Sequence, residues 1–306
     1  GLYYDDSKSF FSFFKRILID LLNDEKQDAE VRAACAKVIG IGSFLINENI
    51  EETIEILKNL EKIFSTSYLK GDRSLRLLSD EIVELNTTAL SIWTFLLSSI
   101  SLSYLEQTID KYINNFCDFL KNPNFNLKFV AGETIAFLYE RAKTEQIFSI
   151  KCIERESLIE ELEKLAKNSS KHFNKKDQKE QRSVFRDILK SIQENVFEVH
   201  LIKFDSEKLY LNNWHMRIQY NIFKSILGNG INMHLAKNVL LRDLFELDNS
   251  LKEIKFTSID DLESMREKKL KNQVLNNEQF KHQSKFLNKK HYEKISNIYD
   301  LDAYED

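Results

Sequence analysis

Lys175, Lys179, Arg182 and Arg186 are spaced 4, 3 and 4 along the chain, the spacing that gathers side chains on one face of an α-helix. At about 1.5 Å rise per residue the row is about 16 Å long, enough to follow a few nucleotides of phosphate backbone. Lys171, His172 and Lys176 flank it. Val184, Phe185, Ile188 and Leu189 supply an apolar face to hold such a helix on a scaffold. The chemistry on offer is binding: fixed positive charge neutralising a polyanion, with no bond made or broken. From Lys167 to Lys190 eight Lys/Arg stand against three acidic residues, while the 306-residue chain carries −4 overall. Positive charge gathered locally in an acidic chain points to a polyanion met at that place. The competing reading is an ordinary solvated helix face.

A second cluster runs from Met265 to Lys294, with nine Lys/Arg against three acidic residues. Arg266, Lys268, Lys269, Lys271, Lys281, His282, Lys285, Lys289, Lys290, His291 and Lys294 are interleaved there with Phe280, Phe286 and Tyr292. Lysine neutralises phosphates, and Phe or Tyr stacks on unpaired bases. The apolar residues form no wide stripe, so this arm is expected to order on its partner. If about six phosphates are neutralised, log K falls against log salt with a slope of about −4. A solubilising tail is the bland alternative, and Lys289-Lys290 also fits a nuclear localisation signal.

Catalytic residue types are present without catalytic spacing. His172, His200, His215, His234, His282 and His291 show no helical metal-ligand pattern. Gly228-Asn229-Gly230 reads as a helix stop, and neither a phosphate loop nor a G-x-S-x-G elbow occurs. Glu154, Glu156, Glu160, Glu161 and Glu163 read as solvated helix surface. Cys35, Cys117 and Cys152 are odd in number and far apart, which argues against a disulfide framework or zinc site and for a reducing compartment. The expectation is a non-enzyme with no metal and no cofactor. No uncharged apolar run is long enough to span a bilayer. The opening Gly1-Leu2-Tyr3-Tyr4-Asp5-Asp6 has no basic n-region and no initiator Met, so a portion of a longer chain is expected.

The elements that must position these residues are helical. The chain has 7 Gly and 1 Pro, too few to break helices often. Phe10, Phe13, Phe14, Ile17, Leu18, Leu21 and Leu22 make one apolar face over residues 9–23. Asp28 can cap a helix over Val31–Ile46. Asn49 can cap the next, with Ile50, Ile54, Leu57, Leu60 and Phe64 on one side. Further helices are predicted over 82–100, 102–120 and 125–142, with Pro123 marking the last break. Trp93 and Trp214 read as core anchors. Ala34, Ala89 and Ala131 recur among large apolar residues, 55 and 42 positions apart; the second interval falls within the roughly 40–47-residue period of stacked helical repeats, the first can hold an insertion near Gly71, and an irregular helical domain is the alternative. The fold class is mainly α: an armadillo/HEAT-like helical repeat domain over 1–190, a small α+β module over 191–248 and a basic helical arm over 249–306. In the module, Val199–Phe204 and Lys208–Asn213 are predicted to form a hairpin. A helix from Trp214 to Leu227 follows, then one or two short helices. Its apolar set is Phe197, Phe204, Leu209, Tyr210, Trp214, Ile218, Phe223, Leu227, Leu235 and Phe245.

SKHFNKKDQKEQRSVFRD (Ser170–Asp187) resembles the interferon-related developmental regulator family, and QRSVFRD (Gln181–Asp187) is its most distinctive run. VRAACA, TSYLK, AGET, KFDSEKLYLNNW, FKSILGNGINMHL and LRDLFEL look like the family's pattern in the same order, across roughly residues 25–250. The resemblance implies an armadillo-like part followed by a family-specific C-terminal domain. It implies two roles. One is a non-catalytic factor occupying idle ribosomes across the P and E tRNA sites, with a C-terminal helix in the mRNA channel. The other is a nuclear co-regulator associated with histone deacetylase complexes. Its implied partners are therefore the ribosome, through ribosomal RNA and proteins, or deacetylase complex components, with the chain acting as a monomer away from membranes, in cytoplasm and nucleus. The arm departs from the family: Arg266 is its only Arg, and it ends in the acidic run Asp300–Asp306.

Overall fold

Glycine decides how close the first helices come. In the computed structural model, α1 (Leu2–Asn23) and α2 (Ala29–Ile46) pack as a helical hairpin. A Cβ on Gly42 would overlap the ring of Phe11, and one on Gly40 would overlap Cγ2 of Ile92 in the next layer. The structure describes residues 2–46, 49–145, 147, 155–167, 175–194 and 196–247, without the side chains of 2–8, 155, 175–178, 180 and 181. These residues are mainly helical with one two-stranded sheet.

The centre is α4 (Asp80–Leu97), which packs against α2 and against α3 (Ile50–Phe64). Ser79 caps it by accepting from Ile82 N, and Asn49 caps α3 by accepting from Glu51 N. Leu85, Ala89, Leu90, Ile92, Trp93, Phe95, Leu96 and Leu97 are all buried, so α4 is apolar nearly all round, as a central helix must be. Trp93 sits at 5.2–5.8 Å from the rings of Phe64, Tyr112 and Phe116. The last two belong to α5 (Ile109–Phe119), which packs on α6 (Phe125–Thr144). The single helix predicted over 102–120 is divided. A 3-10 turn at Leu102–Leu105 is capped by Ser101 and by Glu145 Oε2, which accepts from Leu102 N at 2.8 Å. The turn ends at Leu105, and α5 starts anew at Ile109.

Two other expectations are corrected. Among the described side chains of α1 only Leu22 is fully buried, while Phe10 is 67% and Phe13 is 70% exposed. The period is that of a helix, and Leu18, Ile19, Leu21 and Leu22 are the residues of it that pack on the core. Ala34 faces solvent; Ala33, Ala36 and Gly40 make the close contacts of α2, whereas Ala89 and Ala131 are fully buried as expected.

The remaining described elements are α7 (Arg155–Lys167), α8 (Lys175–Gln193), β1 (His200–Phe204), β2 (Glu207–Leu211), α9 (Trp214–Leu227), α10 (Ile231–Lys237) and α11 (Val239–Leu244). The hairpin forms where the sequence predicts it, with Asp205 at φ 47° in its turn. Gly228 at φ 51° ends α9. Phe223 of α9 meets Phe44 and Phe95 at 6.0 and 5.8 Å, so residues from both sides of position 190 share one core. Tyr210 is the member of the module's apolar set that stays out of it, 53% exposed.

Gly40→Ala is expected to destabilise the protein by about 1–3 kcal/mol, because the stiff, buried Ile92 cannot yield to a new methyl. Gly71→Ala, where nothing lies within 4 Å of the new Cβ, is expected to stay within about 0.5 kcal/mol. Urea denaturation of both variants checks the pair.

Candidate nucleic-acid interface

α8 has two opposite faces, and its sequence dictates both. Val184, Phe185, Ile188 and Ile192 are buried against the scaffold, with Leu189 partly so. Lys179 and Arg186 are exposed and Arg182 is half-buried, on the side away from that apolar set. The row read from the 4, 3, 4 spacing therefore stands on an anchored helix, with Arg186 Nε donating to Arg182 O at 3.1 Å. Lys175 and Lys176 begin α8, but their side chains lie outside the described residues. Lys171, His172 and every arm residue from Arg266 to Lys294 lie outside them entirely.

Close approach of α8 depends on Gly132 in α6. A Cβ there would come 2.9 Å from Ile188 Cδ1 and 3.2 Å from Phe185 Cε1. The roll of α8 is set by buried charge. Asp187 lies on its flank, almost fully buried, and its Oδ2 accepts from Arg217 Nη1 of α9 at 3.0 Å. His200 Nε2, at the start of β1, is 3.0 Å from the same carboxylate oxygen and 2.7 Å from Arg217 Nη1. One tautomer donates to Asp187 and the other accepts from Arg217. On its other side Arg217 Nε is 3.5 Å from Glu133 Oε1, which also accepts from Asn221 Nδ2 at 3.3 Å. The guanidinium lies 4.8 Å over the Trp214 ring, whose Nε1 donates to Ser191 Oγ of α8 at 2.8 Å. Glu140 of α6 closes the arrangement by accepting from Trp214 N and His215 N at the start of α9, where the helix dipole favours a carboxylate.

The two carboxylates respond oppositely to this setting. Burial pushes Glu133 up to about 7, against the pull of Arg217 and His200. Burial also works to raise Asp187, but hydrogen bonds from His200 and Arg217 more than offset it and hold that carboxyl below its ordinary value.

Lys164 and Lys167 of α7 are paired with Glu161 and Glu163 at 3.4 and 3.2 Å. Lys190, which the row's spacing extends to by a further four residues, is paired with Glu198 at 3.0 Å. Lys190 is thus a member of the row that the 4, 3, 4 pattern could have found, though already partnered. Among the described residues no group of three or more His, Cys, Asp or Glu is placed to hold a metal ion, and no helix is long and apolar enough to cross a membrane. The arrangement presents Lys179, Arg182 and Arg186 on a helix whose opposite face is packed into the core.

The sequence pattern of the family described as interferon-related developmental regulator matches residues 3–193. Interferon-related developmental regulator 1 of Sus scrofa is 34% identical over 232 residues, covering 76% of this chain and 51% of that protein. Its Homo sapiens counterpart is 32% identical over 243 residues, 79% of this chain and 53% of that protein. Interferon-related developmental regulator 2 of Mus musculus is 31% identical over 241 residues, 78% and 54% respectively. The chain spans about half the length of these curated relatives.

Arg217→Met is expected to cost about 3–5 kcal/mol, since it strands buried carboxylates, while Lys179→Ala should stay within about 0.5 kcal/mol; chemical denaturation separates them. The pH response follows from linkage. An unfolded Glu titrates near about 4.3, so between there and about 7 native Glu133 holds more protons than the unfolded chain, and stability falls as pH rises. Glu133→Gln should flatten that fall. Asp187 acts in the opposite sense: its contribution is present above the unfolded value of about 3.9 and is lost as pH drops through the lower native one. Denaturation midpoints measured from pH 3 to 8 test both.

Proposed function

The chain belongs to the interferon-related developmental regulator family, and from that premise we propose that it is a non-catalytic factor that occupies idle ribosomes. The observation that carries the reading is the Lys179–Arg182–Arg186 row on α8, its two ends exposed and Arg182 half-buried, held by a buried underside and a fixed roll. A row of cations on a rigid helix suits the regular phosphates of ribosomal RNA, and charge plus shape does the work. In this reading the helices stack in an armadillo/HEAT-like manner and stand where P- and E-site tRNA would stand. The Lys-rich arm, residues 249–306, enters the mRNA channel, so that binding represses translation or preserves dormant ribosomes by steric exclusion.

A second reading, a nuclear co-regulator scaffold for protein partners, is favoured by the uncovered apolar side of α1, where Phe10, Phe13 and Ile17 are exposed. The two readings differ in what binding depends on. Attraction to RNA is screened by salt and carried by the cations. A scaffold would keep its partners after the arm is removed.

Sedimentation of the protein with ribosomes through a sucrose gradient tests this. The intact chain should travel with non-translating monosomes. Lys179→Glu with Arg186→Glu should weaken the association and make its log–log salt slope shallower by about 1.4–1.8. A chain ending at Asp248 should also be weakened. Ribosomes carrying mRNA and P-site tRNA should exclude the protein. Undiminished binding to such ribosomes, or an intact chain that stays at the top of the gradient at low salt, overturns the reading.

A further inference from the structure

The hairpin has an inner face that explains its folding and an outer face that does not. Ile202, Phe204, Leu209 and Leu211 point inward, the last three fully buried. The outer face carries Leu201 opposite Tyr210 and Lys203 opposite Lys208. Leu201 is 44% and Tyr210 is 53% exposed, and both lysines are exposed. Like charges directly opposite one another on a strand pair destabilise it. No carboxylate relieves the pair among the described residues. Glu207, the nearest on β2, turns its carboxylate to the buried Arg242, at 2.9 and 3.2 Å. A Lys–Lys pair beside an exposed aromatic–aliphatic pair is the composition of a surface that receives an anion and a planar ring together.

We infer that the outer face of the β1–β2 hairpin is a second contact for single-stranded RNA, with a base stacked on Tyr210 against Leu201 and a phosphate bridging Lys203 and Lys208. The inference rests on the RNA-binding reading above and adds to it a site that neither basic cluster contains. Tyr210 and Lys208 are two residues apart on one strand, so they share a face at about 7 Å, within the span of one nucleotide. A two-stranded ribbon with an aromatic platform and flanking cations recognises unpaired bases through their π-faces and tolerates sequence. The hairpin starts at the ion-paired cluster of α8, since His200 of β1 contacts Asp187. Lys203 is three residues further on, about 10 Å along the strand. The scaffold that holds the basic row therefore also holds this ribbon.

The test is fluorescence anisotropy of the full chain with a labelled ten-nucleotide single-stranded RNA and with the same backbone lacking bases, each over a salt series. Tyr210→Ala should weaken binding of the base-bearing strand by about 5- to 150-fold and leave the salt slope and the abasic strand unchanged; Tyr210→Phe should bind like the parent. Lys203→Gln with Lys208→Gln should make the salt slope shallower by about 1.4. That variant should melt no lower than the parent, because it removes a repulsion. If the hairpin variants bind like the parent while Lys179→Glu with Arg186→Glu loses affinity, the hairpin site is wrong and the α8 row stands. If the hairpin variants lose affinity and the α8 variant does not, the hairpin stands and the row falls. A parent chain that binds neither RNA nor ribosomes removes both.

Discussion

One buried guanidinium organises the C-terminal half of the described fold. Arg217 reaches Asp187 on α8, Glu133 on α6 and His200 on β1, and lies over its own helix's Trp214. An arginine left unpaired in such a place would be very costly. Its planar fork is suited to serving two carboxylates from fixed directions. The arrangement is therefore better at specifying one packing than at adding net stability. It explains why the runs AGET and QRSVFRD, some fifty residues apart in sequence, contribute to the same place. Gly132 of the first lets α8 come close, Glu133 takes one side of the guanidinium, and Asp187 of the second takes the other.

The division of labour within QRSVFRD follows from helical geometry. Val184 and Phe185 go down, Asp187 goes sideways into the ion cluster, and Arg182 and Arg186 go out. A seven-residue stretch thus fixes the helix and displays the charge. This separates stability from surface chemistry residue by residue, and it allows an acidic chain to hold a cationic row without losing its core to self-repulsion.

What the sequence made legible was local. Helix periods, the Asn49 cap, the hairpin between Val199 and Asn213 and the glycine stop after Leu227 are all short-range signals, and each has its counterpart in the structure, with Glu207 belonging to β2 and not to the turn. The basic row was legible too, because spacing alone sets a helix face. The misses depend on tertiary partners. Period alone cannot say that Phe10, Phe13 and Ile17 of α1 stay exposed among the described residues, nor that Ala33 rather than Ala34 is buried. The 3-10 turn at Leu102–Leu105 is capped by Glu145, forty-three residues downstream of the amide it accepts from, a partner that no local pattern announces. Asp187 read as a charge diluting the basic cluster, and only the proximity of Arg217 turns it into that cluster's anchor.

The lodging of α9 against α4 has a consequence in time. Gln219 Nε2 donates to Ser98 Oγ across 121 positions of chain, and Phe223 completes the aromatic contacts of Phe44 and Phe95. At roughly 5–20 residues per second, synthesis leaves a gap of roughly 6–24 s between the emergence of those two partners. During that interval the central helix is made but one of its walls is missing, and its apolar surface is open to whatever is nearby. A newly made chain of this kind has more need of a chaperone at the exit tunnel than its short-range helical hairpins alone would suggest.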